Sequence, residues 1–228
     1  MELEQSFIAL IEQSIKTNWY LNALTDYKGI TLQYRDVARK IEKIHILLEN
    51  AGIEKGDKIA ICGRNSAHWT VTYLAVITYG AVVVPILHEF KADQVHNIVN
   101  HSEARLLFVG DQIWENLNEA AMPHLEGIIE LKDFGVPVSR SEKLAYDIVT
   151  HKFPCRFRPD DISYEKEKSE DLAIINYTSG TTGYSKGVML PYRSILSNVL
   201  YCKEKIGLKA GDSVVSMLPL GHVFGMTF

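Results

Sequence analysis

The feature that most constrains the fold is a long stretch without charged residues, Asn65–His88, when the histidines are counted as neutral. Its length would allow a membrane span. However, Gly80 and Pro85 interrupt it, and both residues disfavour a continuous helix. We interpret the stretch as a buried helix, Ala67–Tyr79, followed by a buried strand, Ala81–Ile86. A membrane span is the alternative that the sequence leaves open.

Other apolar runs extend this helix and strand into an alternating series. Strands are predicted at Lys58–Cys62, Arg105–Val109 and Ile128–Leu131, and helices at Ala92–Asn100 and Asp111–Ala121. Strands with few polar residues that alternate with helices indicate an α/β fold, with mostly parallel sheets and helices on both faces. Two earlier helices follow from four-residue apolar spacing: Leu3, Phe7, Ile11 and Ile15, and then Val37, Ile41, Ile44 and Leu48 after a Thr31 cap.

Composition and charge exclude several classes of protein. The 228 residues are 46% hydrophobic and 23% charged, with a net charge of −4, so the chain offers no basic field for nucleic acid. The three cysteines are far apart in the sequence, which is typical of a reducing compartment. The acidic N-terminus lacks the basic region of a signal peptide. We therefore expect a cytoplasmic protein without a transmembrane segment, with peripheral membrane contact left open.

A glycine-rich turn interrupts the second half of the chain. Pro and charged residues dominate 153–171, which we interpret as a surface connection, with a solvated charge run at its end. A strand at Leu172–Tyr177 and another at Gly187–Leu190 then flank the turn in YTSGTTGYSKGVML. Further predicted elements are a helix at Tyr192–Ile206 and a strand at Val214–Leu218.

The composition of this turn suits a nucleotide triphosphate. Its glycines, Gly180, Gly183 and Gly187, can take positive φ and let backbone N–H groups approach phosphate oxygens. Thr178, Ser179, Thr181, Thr182 and Ser185 supply hydroxyls, and Lys186 supplies a positive charge. The Walker A pattern does not fit, because Ser185 stands where that pattern has glycine and a strand follows the turn. The alternative is an ordinary solvated Gly/Ser/Thr loop.

This stretch closely resembles the phosphate-binding signature of the adenylate-forming superfamily, YTSGTTGxPKGV. Other parts resemble the same superfamily in the same order: GIEKGDKIAICGR, YLAVITYGAVVVP and SVVSMLPLGHVFG. Within it, the chain looks most like the long-chain fatty acyl-CoA synthetases. Ser185 replaces the usual proline, and Pro191–Tyr192 replaces the usual Ser/Thr-His pair.

The resemblance implies an ATP-dependent ligase that activates a carboxylic acid, here a long-chain fatty acid, as acyl-AMP made from Mg-ATP. The acyl group is then transferred to coenzyme A. It implies that the phosphates bind at Thr178, Ser179, Gly180, Thr181, Thr182, Gly183, Lys186 and Gly187. Thr181 matches the threonine that reaches Mg²⁺. Lys186 and His222 match catalytic positions, although a lone histidine is otherwise more often a packed, hydrogen-bonded residue.

The resemblance also implies that the chain is the front portion of the large AMP-binding N-terminal domain. Residues 1–152 would be a first α/β subdomain, 153–171 a charged connection, and 172–228 the phosphate-loop hairpin with the start of the next α/β unit. The family's later motifs and its C-terminal domain are absent. We therefore expect the 228 residues alone to be inactive, and their exposed apolar surface to favour self-association.

Two other functions stay open at this point. One is an adenylating enzyme with a different acceptor, such as a carrier-protein thiol, or with the oxidative chemistry of luciferases. The other is a non-catalytic module that binds a nucleotide or an acyl group.

Overall fold

A computed structural model describes residues 6–141, 144, 149, 151–178, 186–209 and 211–227. Within these residues the helices are α1 (Phe7–Thr17), α2 (Tyr34–Asn50), α3 (Ala67–Tyr79), α4 (Ala92–Ser102), α5 (Asp111–Trp114), α6 (Tyr192–Ile206) and α7 (Val223–Thr227). The strands are β1 (Asn22–Thr25), β2 (Thr31–Gln33), β3 (Lys58–Cys62), β4 (Val82–Ile86), β5 (Leu106–Val109), β6 (Gly127–Glu130), β7 (Val138–Ser139), β8 (Leu172–Thr178) and β9 (Lys186–Pro191).

A seven-stranded sheet is the centre of the described structure, in the order β7-β6-β5-β3-β4-β8-β9. The five inner strands, from β6 to β8, are parallel, whereas β7 and β9 pair antiparallel at the two edges. Helices α1, α2, α3 and α6 share one apolar core with the sheet, and α4 packs on the opposite face. The predicted α/β fold with a mainly parallel, two-sided sheet is confirmed.

The uncharged stretch forms a helix and a strand inside this core. Helix α3 has thirteen residues, begins after the Ser66 side chain accepts a hydrogen bond from Trp69 N–H, and ends at Gly80 with φ of 84°. Trp69 and Tyr73 stack on each other and are buried. No helix in the described part of the chain is long and apolar enough to cross a membrane.

Three predicted elements differ from the structure. Thr31 lies in the short strand β2, and α2 begins at Tyr34, where Gln33 N–H donates to the Asp36 carboxylate. The helix predicted over Asp111–Ala121 stops at Trp114, and a 3₁₀ turn follows because the Asn118 side chain accepts from Ala120 N–H.

The strand predicted at Val214–Leu218 is also wrong, because this segment is irregular and exposed. Its β-branched residues favour a strand, but no described strand pairs with it, and a strand gains its stability from pairing and burial.

The connection 153–171 contributes to the core, contrary to its interpretation as surface alone. Phe157, Ile162 and Tyr164 are buried against the larger apolar cluster. Glu167 belongs to the charge run that we expected to be solvated, yet its carboxylate accepts hydrogen bonds from Ser6 Oγ and from the backbone N–H of Phe7. A carboxylate at the first turn of α1 satisfies backbone donors that have no partner within the helix.

Candidate functional site

The predicted phosphate-binding turn connects the two strands of an antiparallel hairpin. Strand β8 pairs with β9 so that Thr178 lies opposite Lys186 and Tyr177 lies opposite Gly187. Thr178 and Lys186 are both exposed at the open end of the hairpin. The structure thus brings a hydroxyl residue and a cationic residue together at the two ends of the turn.

Most of the turn itself is outside the described residues. This applies to Ser179, Gly180, Thr181, Thr182 and Gly183, including Thr181 as the predicted magnesium ligand. Their assignments therefore stay predictions.

Gly187 does not have the backbone conformation that the sequence suggested. It lies within β9, and its φ is outside the left-handed region. A Cβ at this position would lie 2.9 Å from Ile175 Cγ2 and 3.1 Å from Tyr177 Cζ. Glycine is therefore favoured here because Ile175 and the Tyr177 ring both pack against β9 at this point, which is a packing requirement rather than a turn requirement.

His222 belongs to a tight segment that lies against the carboxyl end of β4. Its N–H donates to Pro219 C=O at 3.0 Å, and its own C=O accepts from Gly225 N–H at 2.9 Å. Gly221 is buried, and a Cβ there would lie 3.0 Å from Ile86 O, so only glycine allows this close approach. The His222 residue itself is exposed.

The hairpin and the His222 segment lie at the same edge of the sheet. Val83 of β4 pairs in parallel with Ile174 of β8, so Ile86 and Tyr177, three residues further along each strand, lie at the same level. The carboxyl ends of parallel strands are where open α/β sheets bind their ligands. Lys186 and His222 are therefore carried by neighbouring elements at this edge of the sheet.

Asn65 connects this edge to the His222 segment, and the sequence did not reveal it. Its Nδ2 donates to Leu218 O at 2.7 Å and to Ser216 O at 3.2 Å, and its Oδ1 accepts from Leu220 N–H at 2.8 Å. Asn65 does not cap α3, because Ser66 is the capping residue. The partners of Asn65 are 151 to 155 residues away, so no local pattern could have identified them.

We expect Asn65→Asp to displace the His222 segment more than Asn65→Ala does. The carboxylate would keep the bond from Leu220 N–H but would face the carbonyl oxygens of Ser216 and Leu218 without a proton to donate. Each lost bond contributes about 1 kcal/mol, and the repulsion adds to that loss. Hydrogen exchange of the amides in 216–226 would measure the displacement. Equal protection in both variants and the wild type would contradict it.

A separate cleft of about 470 Å³ opens at the carboxyl ends of β3, β5 and β6. Arg64 and Lys132 line it together with Asp26 and Asp111, so its charges are balanced. Within the described residues, none of the predicted phosphate-binding positions lines this cleft. The Asp26 carboxylate already accepts from Ala67 N–H at the start of α3, at 2.7 Å.

Comparison with known proteins identifies the family. The profile of the AMP-binding enzyme family matches residues 12–228. The chain belongs to the AMP-binding enzyme family. The predicted membership of the adenylate-forming superfamily is thereby confirmed, over nearly the whole chain.

Individual relatives in this family are diverse. The chain is 29% identical over 207 residues to long chain acyl-CoA synthetase 5 of Arabidopsis thaliana, with 86% of this chain and 31% of that protein covered. It is 26% identical over 216 residues to tyrocidine synthase 3 of Brevibacillus parabrevis, with 95% of this chain and 3% of that protein covered.

The fold is also shared with solved structures. A natural red emitting luciferase from Phrixothrix hirtus superposes with a TM-score of 0.83 at 19% identity, covering 97% of this chain and 43% of that one. The chain therefore spans about a third of the length of the acyl-CoA synthetase that it matches, and less than half of the luciferase.

Proposed function

We propose that this AMP-binding protein holds the phosphates of ATP in the β8–β9 hairpin while a carboxylic acid attacks the α-phosphate. The attack forms an acyl-adenylate and releases pyrophosphate. A long-chain fatty acid is the proposed acid, and the thiol of coenzyme A then displaces AMP to give the thioester. This is the ligase reaction of an acyl-CoA synthetase.

The observation that carries the proposal is the charge and placement of the hairpin. Residues 172–191 contain no acidic side chain, and Lys186 is exposed across from Thr178 at the open end. An anion can therefore approach without facing a competing carboxylate of the hairpin. The match of the family profile supports the same reading of the turn.

The residues have separate roles in the proposal. Ser179, Gly180, Thr181, Thr182 and Gly183 would bind the β- and γ-phosphates together with Thr178 and Gly187. Lys186 would stabilise the negative charge that accumulates as the carboxylate approaches the triphosphate. His222 would lie near the acyl carboxylate and orient it for attack. Mg²⁺, held in part by Thr181, would neutralise phosphate charge when bound.

The choice of acid and acceptor rests on relatives that differ from one another. The acyl-CoA synthetase of A. thaliana supports a fatty acid and coenzyme A. The match to tyrocidine synthase 3, which covers 95% of this chain, supports a second candidate, an adenylating enzyme whose acceptor is a carrier-protein thiol. We expect residues 1–228 alone not to sustain production of AMP.

The test is ATP–pyrophosphate exchange by the protein from the complete reading frame, with saturated fatty acids of graded length. We expect exchange that requires an added acid and is greatest with long chains. Release of AMP on addition of coenzyme A would then identify the acceptor. Absence of exchange with every acid, in a folded protein that binds Mg-ATP, would leave only a nucleotide-binding role.

A further inference from the structure

Tyr177 lies on β8, next to the open end of the hairpin, and its side chain contacts β9. Its ring lies across Gly187 on β9, as the 3.1 Å clearance from Tyr177 Cζ to a Cβ at that position shows. The side chain is 5% exposed and belongs to the apolar cluster beneath α4. The next pair along the hairpin is Thr178 and Lys186, the two described anchors of the turn.

The hydroxyl of Tyr177 is hydrogen-bonded to a residue outside the hairpin, His101. His101, in the last turn of α4, places Nδ1 at 2.7 Å from Tyr177 Oη, and the two rings meet edge to face at 5.7 Å between centroids. Phenylalanine would fill the same apolar space without needing a polar partner. The hydroxyl and His101 together therefore fix where the ring lies, beyond what apolar packing achieves.

This contact matters because β9 is an edge strand. Among the described strands it pairs only with β8, and Val188 and Met189 on it are exposed. The Tyr177 ring, on β8, packs against β9, and its hydroxyl is hydrogen-bonded to His101 of α4. Helix α4 packs on the face of the sheet opposite to α6. Lys186 is the first residue of β9 and directly precedes Gly187, against which the Tyr177 ring packs.

We infer that His101 is a positioning residue for ATP binding, which acts through Tyr177 to hold Lys186 and Thr178 at a fixed separation and orientation. This inference rests on the proposed function of the hairpin. The histidine does not touch the nucleotide. Without the His101 side chain, the end of β9 becomes more mobile. ATP must then order this end of the strand when it binds, and the entropic cost of that ordering weakens binding.

The experiment compares two substitutions of His101 in the protein from the complete reading frame. Asparagine places an amide near the Nδ1 position and can keep the bond to Tyr177, whereas glutamine places its amide further out. Titration calorimetry with Mg-ATP measures the affinity of each. We expect Kd to rise about three- to tenfold in His101→Gln and Tyr177→Phe, and less than about twofold in His101→Asn.

His96 provides a matched control on the same helix. Its Nε2 accepts from Asn118 N–H at 3.1 Å, away from the hairpin, so His96→Ala should leave Kd for Mg-ATP unchanged. In the exchange assay, His101→Gln should raise KM for ATP and leave KM for the acid unchanged. General destabilisation would instead lower the active fraction, and hence kcat, with KM for ATP unchanged.

A double-mutant cycle tests the ring contact itself. Gly187→Ala places a Cβ against both Ile175 Cγ2 and the Tyr177 ring and should raise Kd for Mg-ATP. The part of this effect that is transmitted through the ring should disappear when Tyr177→Leu removes the ring. Equal Kd values in His101→Gln, His101→Asn and the wild type would overturn the inference. Normal Mg-ATP binding without acid-dependent exchange would overturn the proposed function alone, so the two failures are distinguishable.

Discussion

Lys186→Ala is expected to lower acid-dependent ATP–pyrophosphate exchange by about a hundred- to a thousandfold, because removal of one preorganised group that stabilises transition-state charge has effects of this size. The side chain is exposed at the end of β9, and its charge meets no carboxylate within the hairpin. Lys186→Arg keeps the charge but spreads it over a planar group, so we expect an intermediate loss.

The stability of Lys186→Ala is expected to stay within about 0.5 kcal/mol of the wild type, since exposed substitutions rarely cost more. Lys203→Ala, another exposed lysine, on α6, is the matched control and should leave exchange unchanged. Measurement of exchange and of unfolding by urea in all three variants separates catalysis from folding. Exchange in Lys186→Ala within threefold of the wild type would remove this lysine from the reaction.

Acid is expected to destabilise the fold through His45. This histidine is half-buried, its Nε2 lies 2.9 Å from Ala75 O, and the rings of Tyr79 and Tyr164 pack against it edge-on. Burial lowers the pKa of His45 from 6.5 to about 4, although the Ala75 carbonyl opposes the shift. The unfolded chain therefore binds a proton between these values that the folded chain does not.

The sign follows from this difference in protonation. The contribution of neutral His45 is fully present above pH 6.5 and is lost as the pH falls towards 4. Allowing for its partial exposure, the loss is about 2 kcal/mol of the free energy of unfolding. Burial raises the pKa of Glu42, so protonation of this carboxyl favours the folded chain as the pH falls and partly offsets the effect of His45. A comparison of variants therefore separates the two contributions.

His45→Gln is the variant that isolates this contribution. Glutamine can place its amide near Ala75 O but does not titrate, so the free energy of unfolding should fall less steeply between pH 6.5 and 4. His124→Gln, at an exposed position, should keep the wild-type slope. Urea unfolding across this pH range measures both. A slope in His45→Gln as steep as in the wild type would refute the role of His45.

The elements that were predicted correctly are specified by residues within them or next to them in the sequence. The bounds of α3 and α6 agree with the structure because an apolar run, a capping Ser66, and Gly80 or Gly207 in left-handed conformation all lie within or next to the helix. The turn was recognisable for the same reason, since its glycines, hydroxyls and lysine are consecutive.

The parts that were missed depend on residues far apart in the chain. Asn65 contacts a segment more than 150 residues away, and Glu167 is about as far from the start of α1. Gly187 was predicted as a turn glycine because the sequence cannot show that Ile175 and the Tyr177 ring pack against β9 at this position. Val214–Leu218 was predicted as a strand from the β-propensity of its residues. This propensity does not show whether a partner strand is available.

The bonds from Glu167 to the first turn of α1 have a consequence for synthesis on the ribosome. Helix α1 is translated about 150 residues before Glu167 and before Tyr164, whose N–H donates to Glu12. At 5–20 residues per second this is a delay of roughly eight to thirty seconds. During that time the first turn of α1 lacks the carboxylate that satisfies its backbone donors, so the helix is less stable in the nascent chain than in the folded protein.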